Sequence, residues 1–133
     1  MKQHIIHVSG KRKSSIARAT LRQGKGIVRV NKVNIEVMNQ HLPKMKIMEP
    51  LQLAGAIAST VTIDVKVQGG GVMSQAEASR LVIARALVQF DKKLEKPFLE
   101  YDRQLLVADV RRKETKKPNR HGKARAKTQK SYR

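Results

Sequence analysis

The chain has 133 residues, 29 Lys and Arg against ten Asp and Glu, a formal net charge of +19, and no Cys. A field that large destabilises a compact state by self-repulsion, so it points away from a free-standing enzyme and toward a partner of dense negative charge, whose counterions are released on binding. The lack of Cys excludes disulfide frameworks and thiolate metal sites, no apolar run reaches the roughly 20 residues of a membrane span, and the N-terminus has no signal-peptide core; the expectation is a cytoplasmic protein, soluble with its partner.

Residues 3–8 and 14–22 read as two strands bracketing a basic turn, Gly10-Lys11-Arg12-Lys13. In the second strand Ile16, Arg18, Thr20 and Arg22 share one face, and Ala17, Ala19 and Leu21 the other. Gly24-Lys25-Gly26 leads into Ile27-Val28-Arg29-Val30 as a hairpin with Val28 and Val30 inward and Arg29 outward, and residues 31–34 form a further turn. From residue 36 to 57 the pattern favours short helices punctuated by Pro43 and Pro50, with Pro50 starting a helix through Leu51, Leu53, Ala54 and Ile57. Residues 60–68 alternate without a break: Val61, Ile63, Val65 and Val67 form a core face, and Thr60, Thr62, Asp64, Lys66 and Gln68 face solvent or ligand.

Gly69-Gly70-Gly71 ends that strand, and Ser74-Gln75-Ala76-Glu77 reads as a capping box opening a helix to about Asp91. That helix is apolar over most of its circumference, with Arg80, Arg85 and Gln89 as its polar breaks, so it lies partly buried against a sheet. Residues 94–101 make a short helix interrupted at Pro97, and residues 105–110 are the last able to touch the core. The body, 1–110, is therefore an α+β domain large enough for one core and not for two.

Residues 111–133 form a separate tail. Eleven of the 29 cations and one of the ten acids, Glu114, lie there, which gives the tail +10 and leaves the body +9. With no aliphatic side chain larger than Ala, the tail cannot offset the backbone entropy of folding on itself and is expected to stay extended or disordered until a polyanion neutralises it. Gly122, Ala124 and Ala126 alternate with Lys123, Arg125 and Lys127, as suits an extended chain in a narrow RNA groove. The plainer alternatives are a solubilising end or a localisation signal.

No catalytic constellation emerges. Gly10-Lys11-Arg12 fails the nucleotide-binding loop pattern, which requires Ser or Thr after Gly-Lys; the stretch is either a solvated hairpin loop or, with Arg18, Arg22 and Arg29 nearby, a phosphate-contacting surface. The triple glycine serves either a close turn from strand to helix or an RNA phosphate. His4 and His7, three apart in a strand, point to opposite faces and cannot chelate one ion; His41 is alone and His121 is in the tail. Asp64, Glu77, Asp91, Glu95, Asp102 and Asp109 fall into no acid/base pair. No cofactor, metal or small-molecule substrate is expected. With Phe90, Phe98, Tyr101 and Tyr132 as the only aromatics, base-stacking platforms are not expected in the body.

Gly10-Lys11-Arg12-Lys13-Ser14-Ser15-Ile16-Ala17-Arg18, Gly69-Gly70-Gly71-Val72-Met73-Ser74-Gln75-Ala76, Arg85-Ala86-Leu87, Asp109-Val110-Arg111-Arg112-Lys113-Glu114 and the closing Lys130-Ser131-Tyr132-Arg133 together resemble the signature stretches of the small-subunit ribosomal protein nine family. The ending is similar to its archaeal and eukaryotic branch. The resemblance runs in register from Val8 to the last residue. It implies an α+β fold like the second domain of ribosomal protein S-five, with a left-handed βαβ crossover that the general handedness rule would not give. It also implies small-subunit rRNA in the head as partner, neighbouring head proteins, a ribosome-bound cytoplasmic location, and a tail reaching the anticodon stem-loop of peptidyl-site tRNA. Residues matched to rRNA are then Lys11, Arg12, Lys13, Ser14, Arg18, Arg22, Lys25, Arg29, Arg111, Arg112, Lys113, Lys116, Lys117, Arg120, His121, Lys123, Arg125 and Lys127; those near tRNA are Lys130, Ser131, Tyr132 and Arg133. Tyr132 stands where bacterial members carry Lys, and Ser74 where many carry Gly. Two rivals are weighed against this reading: a protein subunit of an RNA-processing ribozyme, against which the Ser-Tyr-Arg ending speaks, and a kinase-superfamily enzyme, for which no phosphate loop or catalytic acid is found.

Overall fold

The computed structural model describes residues 4–126. Strands β1 (Ile6–Arg12), β2 (Ser15–Gln23), β3 (Val28–Val30), β4 (Val33–Asn34) and β5 (Val61–Gln68) form one sheet in the order β1-β2-β5-β3-β4. All neighbours are antiparallel except β3 and β5, which run parallel with helix α1 (His41–Ala54) in the connection between them. Helices α2 (Val72–Phe90) and α3 (Glu95–Tyr101) follow. The result is an α+β layer pair, with α2 against one face of β1, β2 and β5, and α1 against α2.

The period-two pattern explains the sheet. Ala17, Ala19 and Leu21 of β2 and Val61, Ile63, Val65 and Val67 of β5 are buried under the helices, while Arg18, Arg22 and Lys66 stand exposed on the other face. Helix α2 is enclosed between sheet and α1, which is why Leu81, Val82, Ile83, Ala84, Ala86 and Leu87 are all buried, with Arg85 among them partly exposed. Its alanines keep it thin, and Gly10 lets it close on β1: a Cβ there would lie 2.9 Å from both Leu81 and Val82.

Several sequence expectations shift. The first strand runs on through Gly10, Lys11 and Arg12, so the basic turn shrinks to Lys13-Ser14, with Lys13 at φ +53°. Residues 31–34 are not only a turn: Asn31 and Lys32, both at positive φ, form a two-residue turn into β4, and Asn31 is fixed by reciprocal side-chain bonds to the backbone of Val67 at 3.0 and 3.1 Å. Pro50 does not start a helix. It lies buried inside α1, which begins well before it at His41 and takes Pro43 in its first turn, where a missing N–H costs little. The Ser74–Glu77 capping box does not form either. Gly69 and Gly70 adopt left-handed φ angles that bring the chain into α2 at Val72, with Gly71 as N-cap, leaving Glu77 free to pair elsewhere. Pro97 sits in the first turn of α3 without interrupting it. Of residues 105–110, Leu105 is fully buried and Leu106 packs on the core, whereas Val110 is exposed.

Candidate nucleic-acid interface

Strand alternation sorts the first cationic run. Lys11 and Lys13 face outward, whereas Arg12 lies on the helix side of β1 with its side chain 14% exposed. There its Nε–H donates to Glu77 of α2 at 2.7 Å, and its Nη2 stands 3.5 Å from the Asp109 carboxylate. Lys46 shares Glu77 at 3.6 Å. Beside this network Arg80, also largely covered, joins Glu49 of α1 at 2.6 Å and Asp102 after α3 at 2.9 Å. Burial pushes the Asp102 carboxyl up, but the Gln104 backbone N–H and Arg80 outweigh it and hold the group below its ordinary value. Arg85 donates to the carbonyls of Leu106 and Ser9, tying β1 to the segment that leads into the tail. These three arginines hold the body together and spend their charge inside it.

The chain leaves the core after Leu106 and passes beside the β1–β2 hairpin. Asp109 is the junction: its carboxylate accepts the Arg111 N–H at 3.0 Å and the Arg111 guanidinium at 2.7 to 3.1 Å, and its carbonyl accepts Arg112 Nη1 at 2.9 Å. The Arg111 side chain first, and its backbone N–H second, hold the Asp109 carboxyl far below the usual carboxylate range. A groove of about 730 Å³ opens between hairpin and tail root, lined by Lys11, Arg12, Lys13, Ser14, Arg111, Arg112 and Lys113. Residues from opposite ends of the body thus converge. Lys11, Lys13 and Lys113 have no ion-pair partner among the described residues, and Arg112 bonds only to backbone carbonyls.

The uncovered face of the sheet holds the second cationic surface, a shallow depression of about 990 Å³. Arg22 and Arg29 are drawn onto Asp64 at 2.7 and 3.5 Å. Arg18 faces Lys66 directly across β2 and β5, a like-charge juxtaposition that costs stability in the free protein. Lys25 lies exposed in the loop before β3, its backbone N–H reaching Thr62. Lys66, Lys32 and His7 border the depression and are not among the expected site residues; the signal for Lys66 is its polar position in the alternating strand, but only the register sets it opposite Arg18.

The described part of the tail departs from a straight extended chain. Glu114, the tail's one carboxylate, accepts from Lys117 at 3.3 Å and Arg125 at 3.0 Å, and backbone bonds from Lys117 to Lys123 and from Gly122 to Arg125 turn the segment back on itself. Arg125, then Lys117, keep the Glu114 carboxyl below its ordinary value. Lys116, Arg120, His121 and Lys123 are exposed. Lys127, Lys130, Ser131, Tyr132 and Arg133 lie outside the described residues. Among the described residues no three His, Asp or Glu side chains converge on a metal-sized space, and no helix is long and apolar enough to cross a membrane.

Ammonium and guanidinium groups around a groove and across an open sheet are donors for phosphate oxygens. The class so defined is a small basic α+β protein with two cationic surfaces. The model of the family Ribosomal protein S9/S16 matches residues 10–133, and the chain belongs to that family. It is 48% identical over 132 residues to the small ribosomal subunit protein uS9 of Methanococcus maripaludis strain C7, spanning 97% of this chain and 98% of the relative; the same protein of strain C5 matches to the same extent. Proteins of this family are structural components and not enzymes, and so is this one.

Proposed function

We propose that the protein is a structural constituent of the small ribosomal subunit whose body docks on rRNA in the head and whose tail runs through rRNA toward the anticodon stem-loop of peptidyl-site tRNA. In this reading the crossover from β3 through α1 to β5 is the left-handed one of the S-five domain-two-like fold. Lys11, Lys13, Ser14, Arg112 and Lys113 meet the first phosphates, Lys116, Arg120, His121, Lys123 and Lys127 follow them along the tail, Arg111 joins through the guanidinium N–H groups that Asp109 leaves free, and Lys117 and Arg125 join once phosphate displaces Glu114. Arg18, Lys25 and, in exchange for Asp64, Arg22 and Arg29 supply a second set of contacts from the open face, while Arg12 acts by holding the tail root to the body. At the far end Lys130, Ser131, Tyr132 and Arg133 form the tip, with Arg133 the tRNA phosphate contact and Tyr132 offering a ring or hydroxyl. Neighbouring head proteins complete the surroundings, and the location is the cytoplasmic ribosome.

The observation that carries this reading is the convergence of hairpin and tail root on one groove with cations left unpaired. Such contacts position a protein on folded RNA without reading its sequence. Replacing Lys11, Lys13, Arg112 and Lys113 together by Ala removes four phosphate contacts, so log K against log salt should flatten by roughly three for a head-domain rRNA fragment, about 0.7 to 0.9 per contact. Filter binding across a salt series measures it. An unchanged slope would place the RNA elsewhere.

A further inference from the structure

Asp109 is a carboxylate at the centre of a cationic surface. Taken as charge alone it is a liability, since it repels the phosphate that its neighbours attract. Its bonds point to a different role. Through Arg12 it is fastened to the body, because Arg12 is itself held by Glu77 of α2. Its own carboxylate wraps the next turn of chain by accepting the Arg111 N–H, an Asx-type turn, together with the Arg111 guanidinium. Its backbone carbonyl seats Arg112. Arg12, Arg111 and Arg112 therefore all meet at one residue, on the segment where the core ends and the tail begins. Val110 beyond it is 83% exposed and contributes no apolar anchor. Without Asp109 nothing polar among the described residues ties positions 107–113 to the hairpin, apart from the bonds of Arg85 just upstream.

We infer that Asp109 is a positioning residue for RNA binding: a latch that joins the tail root to the β1–β2 hairpin and so sets the direction in which the tail leaves the body. Arg112 and Lys113 are thereby held beside Lys11 and Lys13 before RNA arrives, and the entropy of ordering these long side chains is not charged against binding. The inference rests on the groove being the rRNA contact proposed above.

The sign of one substitution separates latch from charge. Asp109→Asn removes a negative charge from the complex-forming surface, so attraction alone predicts tighter binding to the head-domain rRNA fragment. The latch predicts roughly tenfold weaker binding, as two or three loosened side chains must be ordered at the moment of association. The chain has no native Cys, so spin labels can be set at Ser14→Cys and Thr115→Cys in the full-length protein. Their distance distribution should be narrow with Asp109 and broad with Asn, while the body's thermal melting stays where it was. Equal or tighter binding with an unmoved distance distribution would overturn the latch. A lowered melting temperature with an unmoved tail would also overturn it, making Asp109 a residue that merely stabilises the body. Failure of the unsubstituted protein to bind the rRNA fragment would instead strike the proposed function itself.

Discussion

Ending the chain after Val110 should lower affinity for head-domain rRNA by roughly a thousandfold or more at low salt, because eleven cations leave together and every phosphate they no longer neutralise keeps its counterions. The gap should narrow as salt rises, since the tail's contribution is the salt-sensitive one. The body should scarcely notice. Leu105 and Leu106 remain to close the core, Asp109 remains beside Arg12, and the described tail residues are exposed apart from the half-buried Gly122 and Ala124. Filter binding at two salt concentrations, with a thermal melt of the shortened body, checks both halves. Near-full affinity without the tail would assign the RNA contact to the body alone, through its hairpin and open sheet face.

Gly70→Val should destabilise the body by about 3 kcal/mol or more, the sum of left-handed backbone strain for a β-branched residue and an overpacked contact. Gly70 has φ +66°, and a Cβ there would meet the backbone N of Ser15 at 3.2 Å and its Cβ at 3.3 Å. Ser15 is fully buried and donates to the Gly69 carbonyl at 2.9 Å, so the hairpin turn and the strand-to-helix turn are pressed together. Gly71 is the control within the same triplet: its φ is −97° and nothing lies within 4 Å of a Cβ built there. Gly71→Ala should cost under about 1 kcal/mol. Urea denaturation of the two variants measures the difference. Equal sensitivity would contradict a turn that depends on Gly70 in particular.

That triplet shows what the sequence could and could not give away. Two readings of Gly69-Gly70-Gly71 are open from its residues, a close turn or a phosphate seat, and choosing between them requires knowing that Ser14 and Ser15, far earlier in the chain, press against it. The sheet is legible because its signal is local: unbroken alternation in residues 60–68, and the split of Ala17, Ala19 and Leu21 from Arg18 and Arg22, survive any tertiary arrangement. Helix boundaries at Pro50 and Pro97 are misplaced by sequence pattern because proline excludes a partner N–H only where one is needed, and burial of Pro50 in the core overrides its usual role as a start signal. Glu77 looks like a cap since spacing sees only its own helix; the arginine that claims it comes from β1. Composition groups Arg12 with the outward cations, although continuing the strand's alternation from Val8 through Gly10 to Arg12 turns it inward. The basic character of the interface is thus plain from the sequence. Which cations stay free is not, because that depends on carboxylates brought in by the fold.

The most direct test of the proposed role is photocrosslinking from two positions in small subunits assembled with peptidyl-site tRNA, one photoreactive group replacing Lys113 and one replacing Tyr132. The expected outcome is head-domain rRNA crosslinks from position 113 and crosslinks to the tRNA anticodon stem-loop from position 132. Crosslinks confined to rRNA at both positions would reduce the tail to an assembly strut, and a protein that failed to enter small subunits would contradict the reading as a whole.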